Sequence, residues 1–421
     1  MATYRRLLSI FNTLLIRGGG SGVAVAFTLM VARYLDTGAA AKFFLLFNIS
    51  TIASICFRWG LDEVIIRRVA SSSREERSIV SNMLLGLAHR RVGLWMAFGL
   101  VCALSVNVPV VRSFVPRLST ADLLVVSVAS GAMALVACAA RVDQGAGRTN
   151  LAAFLMNVLV PTLSIAGLLA MAWRRLTIDA FDLMLLYGAV ALAVYGLVVL
   201  RRYPELAIGR AAVPKTEHDG RADRRSANKL GGVVLAQQVL VWGSMLIVPA
   251  TYGAAAYNGF IVAQKAATLV NLVMLAVNFT LSSRIAALHA SGRKDELRKI
   301  TRGAVVGVLI SSAVVSLGVI LIQNHVFKFS KIEPDMDCVV VVLLVAQILF
   351  SVSAILSLVL SMSHDEGYLL IAQGGVNILG LAAFTALCLT SKIEVACAAF
   401  PVAYLALFIA LMLRAKKIGA I

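Results

Sequence analysis

Three cationic side chains stand in otherwise apolar stretches of the chain: Arg17, Arg58 and Lys265. A charge near the centre of a bilayer costs roughly 3 kcal/mol on insertion scales, so a cation that persists there needs an explanation. All 21 acidic residues fall in loops or near the ends of apolar stretches. Cations at membrane depth without deep carboxylates predict a site that recognises an anion.

Lys265 also lies next to a polar stripe. At 100° per residue, five polar side chains of the same stretch fall within an arc of about 80°, and Lys265 lies about 60° beyond its edge. The five are Gln264, Thr268, Asn271, Asn278 and Ser282. Such a stripe is expected to face water or partner helices. We therefore predict a substrate-binding set that consists of Arg17, Arg58, Gln264, Lys265 and Asn271.

Alternative interpretations remain open for all three cations. Arg17 either reaches the site or, if the first span begins later, extends its side chain to the inner surface. Arg58 either reaches the site or pairs with Asp62, which lies one helical turn away. Lys265 either reaches the site or extends its side chain to the outer interface. It has no acid three or four residues to either side, and this isolation favours a site role.

The chain shows no pattern that is typical of catalysis. It contains no glycine-rich phosphate loop ending in Lys and Ser or Thr, no metal-ligand spacing and no supported Ser/His/Asp arrangement. The six cysteines lie in or at the ends of apolar runs and are expected to serve as small packing residues. We expect no enzymatic activity, no cofactor and no metal site.

The composition indicates a membrane protein. Of 421 residues, 60% are hydrophobic and 14% are charged, whereas soluble domains have about 25% charged residues. A spanning helix needs about 20 apolar residues, and lipid cannot hydrogen-bond an open backbone, so the fold class is all-α. Twelve spans are predicted, at about 10–33, 41–60, 92–110, 121–140, 151–172, 181–200, 230–252, 258–283, 304–323, 339–361, 369–389 and 393–413.

The basic residues predict the orientation of these spans. The net charge is +18, and 28 of the 39 Lys and Arg residues lie on the side of the membrane that holds both termini. Cytoplasmic loops carry an excess of such residues, so both termini are predicted to be cytoplasmic. No basic stretch is interleaved with aromatic residues as a nucleic-acid surface would require, and nucleic acid is excluded as a partner.

Weak internal repeats divide the spans into two sets of six. Gly38-Ala39-Ala40-Ala41 recurs as Gly253-Ala254-Ala255-Ala256, and two further short matches keep the same order and nearly the same spacing. An even number of spans per repeat preserves orientation, so the halves are predicted to be parallel repeats around a central cavity. The predicted domains are two six-helix bundles at 1–200 and 230–421, joined by a cytoplasmic linker at 201–229.

Several stretches resemble the polysaccharide-biosynthesis flippases, which export O-antigen and exopolysaccharide units, of the MOP (multidrug/oligosaccharidyl-lipid/polysaccharide) superfamily. The resemblance covers nearly the whole chain, and its motifs are degenerate. The first outer loop departs from the usual Gly-Pro-type turn. The residues that carry the resemblance are Ala32-Arg33-Tyr34-Leu35, Gly60-Leu61 with Arg67, Gln144-Gly145-Ala146-Gly147-Arg148, Tyr257 with Ala263, Arg284-Ile285-Ala286-Ala287-Leu288 and Gly292-Arg293-Lys294-Asp295-Glu296-Leu297.

The resemblance implies that the protein moves a polyprenyl-pyrophosphate-linked oligosaccharide from the inner to the outer leaflet of the bacterial inner membrane by alternating access. It implies that Arg17, Arg58 and Lys265 meet the pyrophosphate, with polysaccharide polymerase machinery as a candidate partner. Three alternatives remain. They are a multidrug or cation antiporter of the same superfamily, a membrane-embedded polysaccharide polymerase or ligase, and a peptidoglycan-precursor flippase, although that group usually has fourteen spans.

Overall fold

The computed structural model describes most of the chain, and the described part is helical. The described residues are 19–20, 22–72, 75–105, 118–174, 178–203, 217–272, 293–330, 336–363 and 365–419, together with positions 274, 277, 281, 285 and 288. No strand occurs within these ranges. Arg17, Asn278 and Ser282, which the sequence marks as polar or cationic groups at membrane depth, lie outside the described residues.

The α-helices are labelled in chain order. The first half holds α1 Gly22–Tyr34, α2 Thr37–Arg58, α3 Leu61–Ser71, α4 Arg77–Ser105, α5 Thr120–Gly145, α6 Thr149–Phe154, α7 Val160–Trp173 and α8 Ala180–Arg202, with a π-helical segment at Leu155–Leu159. The second half holds α9 Glu217–Thr251, α10 Gly253–Ala267, α11 Lys294–Ser330, α12 Asp337–Met362, α13 Glu366–Thr390, α14 Ile393–Cys397 and α15 Ala399–Lys417, with a 3₁₀ segment at Thr268–Val270.

Ten helices of the described part are long and apolar enough to cross a membrane. Helix α4 begins at Arg77, well before the predicted third span, and α11 begins at Lys294, well before the predicted ninth span. Charged residues precede the apolar part of each helix, at Arg90 and Arg91 in α4 and at Lys294–Arg302 in α11, and a helix can continue through such residues although they interrupt an apolar pattern. Helix α9 similarly begins within the predicted linker, at Glu217.

Several predicted spans differ from a single regular α-helix in the described residues. The first is represented there by α1, an apolar helix shorter than the other spans. The fifth contains the π-helical segment. The eighth, predicted over 258–283, is helical at its described residues, but α10 ends at Ala267 and is followed by the 3₁₀ segment, after which the described residues are helical again. The tighter winding of a 3₁₀ turn leaves no mark on apolar periodicity, so the sequence pattern could not reveal it.

The chain divides into two compact units, Met1–Phe27 with Tyr34–Val234 and Thr28–Arg33 with Leu235–Ile421. Corresponding helices of the two halves start at nearly constant spacing along the chain. The paired first residues are Thr37 of α2 and Gly253 of α10, Arg77 of α4 and Lys294 of α11, Thr120 of α5 and Asp337 of α12, and Ala180 of α8 and Ala399 of α15. This spacing confirms the repeat that the short sequence matches predicted.

Each unit is built around one central helix. In the first unit α5 packs against α2, α3, α4 and α8, and in the second unit α12 packs against α10, α11 and α15. Small residues allow the close approach: a Cβ atom on Gly188 of α8 would lie 3.2 Å from the Cβ of Ala129 of α5. Helices in lipid gain little from apolar association and depend on such tight backbone contact.

Acidic residues at the starts of three helices act as caps. The Asp36 carboxylate accepts from the Ala39 amide at the start of α2, and Asp179 accepts from the Asp182 amide at the start of α8. Ser119 and Asp122 form a reciprocal capping box on α5, and the buried Asp122 carboxylate also pairs with Lys42 at 2.9 Å. These carboxylates satisfy helix N-termini that lipid could not.

The other end of α5 is neutralised by a second ion cluster. The side chain of Asp143 is fully buried and lies 2.8 Å from the Arg148 guanidinium and 2.6 Å from that of Arg202 in α8. This cluster joins the end of α5 to the end of α8. The predicted placement of these acids at span ends is confirmed, and both carboxylates are more deeply buried than loop residues would be.

A comparable link closes the loop between α12 and α13. The Arg414 guanidinium donates to both Asp365 carboxylate oxygens, at 2.5 and 2.9 Å, and lies over the Tyr368 ring. The hydrogen bonds from Arg414 hold the pKa of Asp365 below its usual value. Because the carboxylate is favoured in the folded state, Asp365 contributes stability above its unfolded pKa of about 3.9 and loses it as the pH falls through the folded value.

Gly145→Ala tests the close packing around α5. A Cβ atom there would lie 2.9 Å from both the Ile66 carbonyl oxygen and the Val69 Cβ, and backbone cannot move away cheaply. We expect a loss of about 1–3 kcal/mol, seen as a lower melting temperature in detergent. The control is Gly196→Ala in α8, where a Cβ meets open space. The control should melt no lower than wild type, and equal melting of the two variants would contradict the packing described.

Asp365→Asn tests the ion pair through its pH dependence. At pH 7 the variant should melt below wild type, because Arg414 loses its ionised partner. As the pH falls through the lowered pKa of wild-type Asp365, that carboxylate becomes protonated and the two melting curves should converge. Thermal unfolding in detergent at several pH values checks this. A difference in melting temperature between variant and wild type that does not change with pH would show that the ion pair contributes nothing to stability.

Candidate functional site

The predicted polar stripe lies where the eighth span is interrupted. Lys265 is in the last turn of α10, and the Thr268 hydroxyl at the start of the 3₁₀ segment donates to the Lys265 carbonyl at 2.7 Å. This bond satisfies a carbonyl at the break. Interruptions of this kind inside a helix often mark functional hinges, and in membranes they are tolerated where protein or water supplies the missing partners.

Helix α12 runs beside this segment in the same direction. Near the start of both, a Cβ atom on Gly259 would lie 2.7 Å from the Met336 Cγ. Further along, the Ser351 hydroxyl donates to the Asn271 side-chain carbonyl at 3.2 Å. The two contacts fix the pairing, so the stretch that contains Gln264, Lys265 and Asn271 faces the α12 residues before Ser351.

Gln264 carries the strongest signal of an unfilled polar site. Its side chain is 1% exposed, and within the described part of the chain neither its amide oxygen nor its amide nitrogen has a hydrogen-bond partner. Leaving a buried polar group unsatisfied costs about 1–3 kcal/mol, and buried amides in proteins are normally paired. A group kept at this cost is one that a ligand or water is expected to satisfy.

Lys265 is adjacent to Gln264 and is partly buried. Among the described residues no carboxylate lies within 4 Å of its ammonium group, so no ion pair neutralises it there. An ammonium group of this kind is a point charge with three donors, suited to phosphate oxygens.

One further residue near this segment was missed by pattern analysis. Gln347 of α12 lies one turn before Ser351, is buried, and has a side-chain oxygen with no hydrogen-bond partner in the described structure. Gln347 and Ser351 lie on the helix packed against α10 and the 3₁₀ segment. The available signal was a single amide within the apolar run Val339–Phe350.

Arg58 has a different environment. It lies in the first unit, where its guanidinium donates to Asp62 at 2.5 Å and to the Ser54 carbonyl at 3.1 Å. Arg141 lies 3.7 Å from the same carboxylate. The structure thus shows the Arg58–Asp62 pair that the spacing suggested, while Gln264, Lys265 and Asn271 are gathered in the second unit.

No group of three or more His, Cys, Asp or Glu side chains is arranged to hold a metal ion within the described ranges. The donors around α10 are amides, a hydroxyl and an ammonium group. In chemical terms these groups can bind an anion or a polyhydroxylated ligand by hydrogen bonds, and they include no nucleophile paired with a base.

Comparisons with known proteins identify the fold. No family model matches the chain, and no curated protein does. Among solved structures, a MATE family transporter of the MOP superfamily in an inward-facing conformation is 12% identical, with a TM-score of 0.73 over 96% of this chain and 98% of that one.

Two further structures agree. The lipid II flippase MurJ in an inward closed conformation is 12% identical, with a TM-score of 0.73 over 96% of this chain and 87% of that one. The MATE multidrug transporter DinF-BH, solved with R6G, is 13% identical, with a TM-score of 0.68 over 97% and 94%. The chain therefore has the all-α fold of MOP-superfamily transporters, with two repeated helical bundles.

Proposed function

We propose that this protein is a flippase that moves a polyprenyl-pyrophosphate-linked oligosaccharide from the inner to the outer leaflet by alternating access, without catalysing a reaction. One observation carries the proposal. In the described structure Lys265 has no carboxylate partner, and the buried side-chain amide of the neighbouring Gln264 has no hydrogen-bond partner. Both residues lie where a membrane helix changes to a 3₁₀ turn. Such a group of donors is suited to a ligand with phosphate charges and sugar hydroxyls.

Each residue has a distinct proposed role. The Lys265 ammonium group binds pyrophosphate oxygens, and the Gln264 amide, which can both donate and accept, binds a phosphate oxygen or a sugar hydroxyl. Ser351 donates to the Asn271 side-chain oxygen, and the Asn271 NH₂ group is the proposed donor to a ligand acceptor. Gln347 extends the same polar surface by one helical turn.

Arg17 and Arg58 are proposed as the cations of the first half. The Asp62 carboxylate neutralises much of the Arg58 charge, so Arg58 is the weaker of the two contacts for a phosphate. This assignment leaves Lys265 as the principal cationic contact among the described candidates.

A multidrug transporter is the second candidate, because MATE multidrug transporters share this fold. Binding and exporting an organic cation calls for a carboxylate at membrane depth. In the described part of the chain the acids lie in loops or within about two turns of a helix end, and the buried Asp122 and Asp143 are paired with Lys42 and with Arg148 and Arg202. This distribution favours an anionic substrate.

The proposed setting is the bacterial inner membrane, with both termini cytoplasmic because most basic residues lie on that side. There the substrate would be assembled on the inner leaflet, and polysaccharide polymerase machinery on the other side would receive it. The lipid bilayer and the lipid-linked oligosaccharide are the partners that this function requires.

Lys265→Ala tests the principal contact. Hydrogen bonds to charged groups contribute about 1.5–3 kcal/mol, so the rate of flipping should fall by about 10- to 100-fold. The measurement is the fraction of polyprenyl-pyrophosphate-linked oligosaccharide in proteoliposomes that becomes accessible to an impermeant periodate probe. Lys265→Arg should retain more activity than Lys265→Ala because it keeps the charge.

Lys416→Ala is the matched control, since Lys416 is exposed at the end of α15. It should flip the lipid at the wild-type rate. Wild-type flipping by a correctly inserted Lys265→Ala protein would remove Lys265 from the site. Export of a cationic dye, with no movement of the lipid-linked oligosaccharide by the wild-type protein, would instead favour the multidrug function.

Gln264→Leu separates binding from stability. The substitution removes a buried amide without a described partner, so the melting temperature in detergent should stay the same or rise. Flipping should slow by about 2- to 10-fold, which is the value of one ordinary hydrogen bond of about 0.5–1.5 kcal/mol.

The matched control for this prediction is Gln373→Leu. Gln373 is also buried, but its amide nitrogen donates to the Ser357 hydroxyl at 3.1 Å, so its replacement should lower the melting temperature. A Gln264→Leu protein that melts well below wild type would indicate that the amide serves the structure alone.

A further inference from the structure

Basic side chains gather where α11 begins and α15 ends, in the second unit. Lys294, Arg298 and Arg302 follow one another at intervals of four residues in α11, and all three are exposed. Residues four apart lie on the same side of a helix, one turn after another. The three cations therefore form a continuous row on α11, the α11 basic stripe.

The end of α15 lies against this stripe. The Arg298 Nε donates to the Gly419 carbonyl oxygen at 3.2 Å, and a Cβ atom on Gly419 would lie 3.6 Å from the Lys294 Cδ. Gly419 has a φ of +75°, which favours glycine, at the turn that follows α15. Arg298 uses one of its five guanidinium donors in this bond. The bond holds the side chain in place and leaves the other donors for a ligand.

The acids near these two helix ends do not neutralise the stripe. Glu296 pairs with Arg293, and Asp365 pairs with Arg414. Asp295 is the other acid of α11. Within the described ranges no carboxylate oxygen lies within 4 Å of the charged nitrogens of the stripe. The stripe is therefore an exposed row of positive charge that can accept an anion.

Beyond the stripe the same side of α11 becomes apolar and remains exposed, at Val306 and Leu309. Helix α15 continues beside it, because Phe408 packs on the buried cluster that contains Ala304 and Val308 of α11. The helix is long and apolar enough to cross a membrane. Cations at the end of such a helix meet lipid headgroups, and the apolar side chains that follow meet acyl chains. This surface matches an amphiphile, whereas a soluble anion would match only its charged end.

We propose that the α11 basic stripe, beside the end of α15, binds the headgroup of an anionic phospholipid whose acyl chains lie along the apolar side of α11. Phosphate oxygens accept hydrogen bonds from ammonium and guanidinium groups. In the proposed orientation α11 begins at the cytoplasmic face, where basic side chains attract anionic lipids. The bound lipid is a resident of the protein surface and not the transported molecule, so the inference goes beyond the proposed function.

The test counts the lipids that remain bound to the purified full-length protein in a neutral detergent, by native mass spectrometry. Dioleoylphosphatidylglycerol, whose headgroup is anionic, should bind wild type at least about tenfold more tightly than dioleoylphosphatidylcholine, whose headgroup has no net charge. Lys294→Gln, Arg298→Gln and Arg302→Gln should each weaken the binding of phosphatidylglycerol by about fivefold. Equal binding of the two lipids by wild type would overturn the proposal.

Two lysines provide matched controls. Lys417 is exposed in the last turn of α15, three residues after Arg414 and on the side of α15 that meets Asp365. Lys328 is exposed near the other end of α11. Lys417→Gln and Lys328→Gln should each bind phosphatidylglycerol within about twofold of wild type. If Lys417→Gln weakened binding as much as Arg298→Gln, the attraction would be to overall charge and the proposed site would be wrong.

Inorganic phosphate distinguishes a lipid site from a site for a free anion. It has the headgroup charge without acyl chains, so at the concentration of the lipid it should not displace phosphatidylglycerol. Displacement by phosphate would overturn the assignment to a lipid.

A second set of variants separates binding from folding. Arg298→Gln also removes the bond to Gly419, so its melting temperature without lipid is compared with that of wild type. Arg298→Lys keeps the charge and should bind phosphatidylglycerol more tightly than Arg298→Gln. Lys294→Gln and Arg302→Gln remove side chains with no hydrogen bond or ion pair in the described structure, so they test the stripe even if Arg298→Gln folds poorly. Because the assay involves no transport, its outcome does not depend on the proposed function.

Discussion

Within a bilayer every backbone amide and carbonyl must find its partner inside the protein, and the rest of this structure depends on that constraint. It explains the continuous helices and the carboxylates that cap them. The same constraint applies where the α-helical winding changes, because the displaced backbone groups there need new partners. Two such places are the π-helical segment at Leu155–Leu159 and the 3₁₀ segment at Thr268–Val270. At the second of these, Thr268 supplies a hydroxyl to a main-chain carbonyl, and the most polar stretch of the second unit coincides with the change.

The described structure contains both matched charges and unmatched donors. The matched charges are Arg58 with Asp62 and Asp143 with two arginines in the first unit, and Asp365 with Arg414 in the second. In the second unit the described structure leaves Gln264 and Lys265 without protein partners, next to Asn271, which is oriented by Ser351. Matched charges hold helices together, whereas unmatched donors at membrane depth reduce stability and are retained where a ligand can satisfy them. The proposed anion site therefore centres on α10 and α12.

Much of the fold could be predicted because long apolar stretches and basic loops act over many residues. The internal repeat could be recognised for the same reason. Each short match is weak, but several matches at nearly the same spacing extend over half of the chain. The break after Ala267 could not be predicted, because a 3₁₀ turn keeps the same residue types as an α-helix. Gln347 was missed because its importance depends on the packing of α10 against α12, which the sequence does not show. The spacing of Arg58 and Asp62 suggested an ion pair, but only the distance between the two side chains shows that it forms.

The central claim concerns which molecule crosses the membrane and in which direction. The most direct measurement removes the protein from the cell that makes it, extracts the polyprenol-linked glycans, and determines with an impermeant periodate or lectin probe which leaflet holds them. The account predicts completed units trapped on the inner leaflet. Outward-facing single units that never lengthen would contradict it in favour of a polymerase, and an unchanged lipid pool would contradict it in favour of a multidrug transporter.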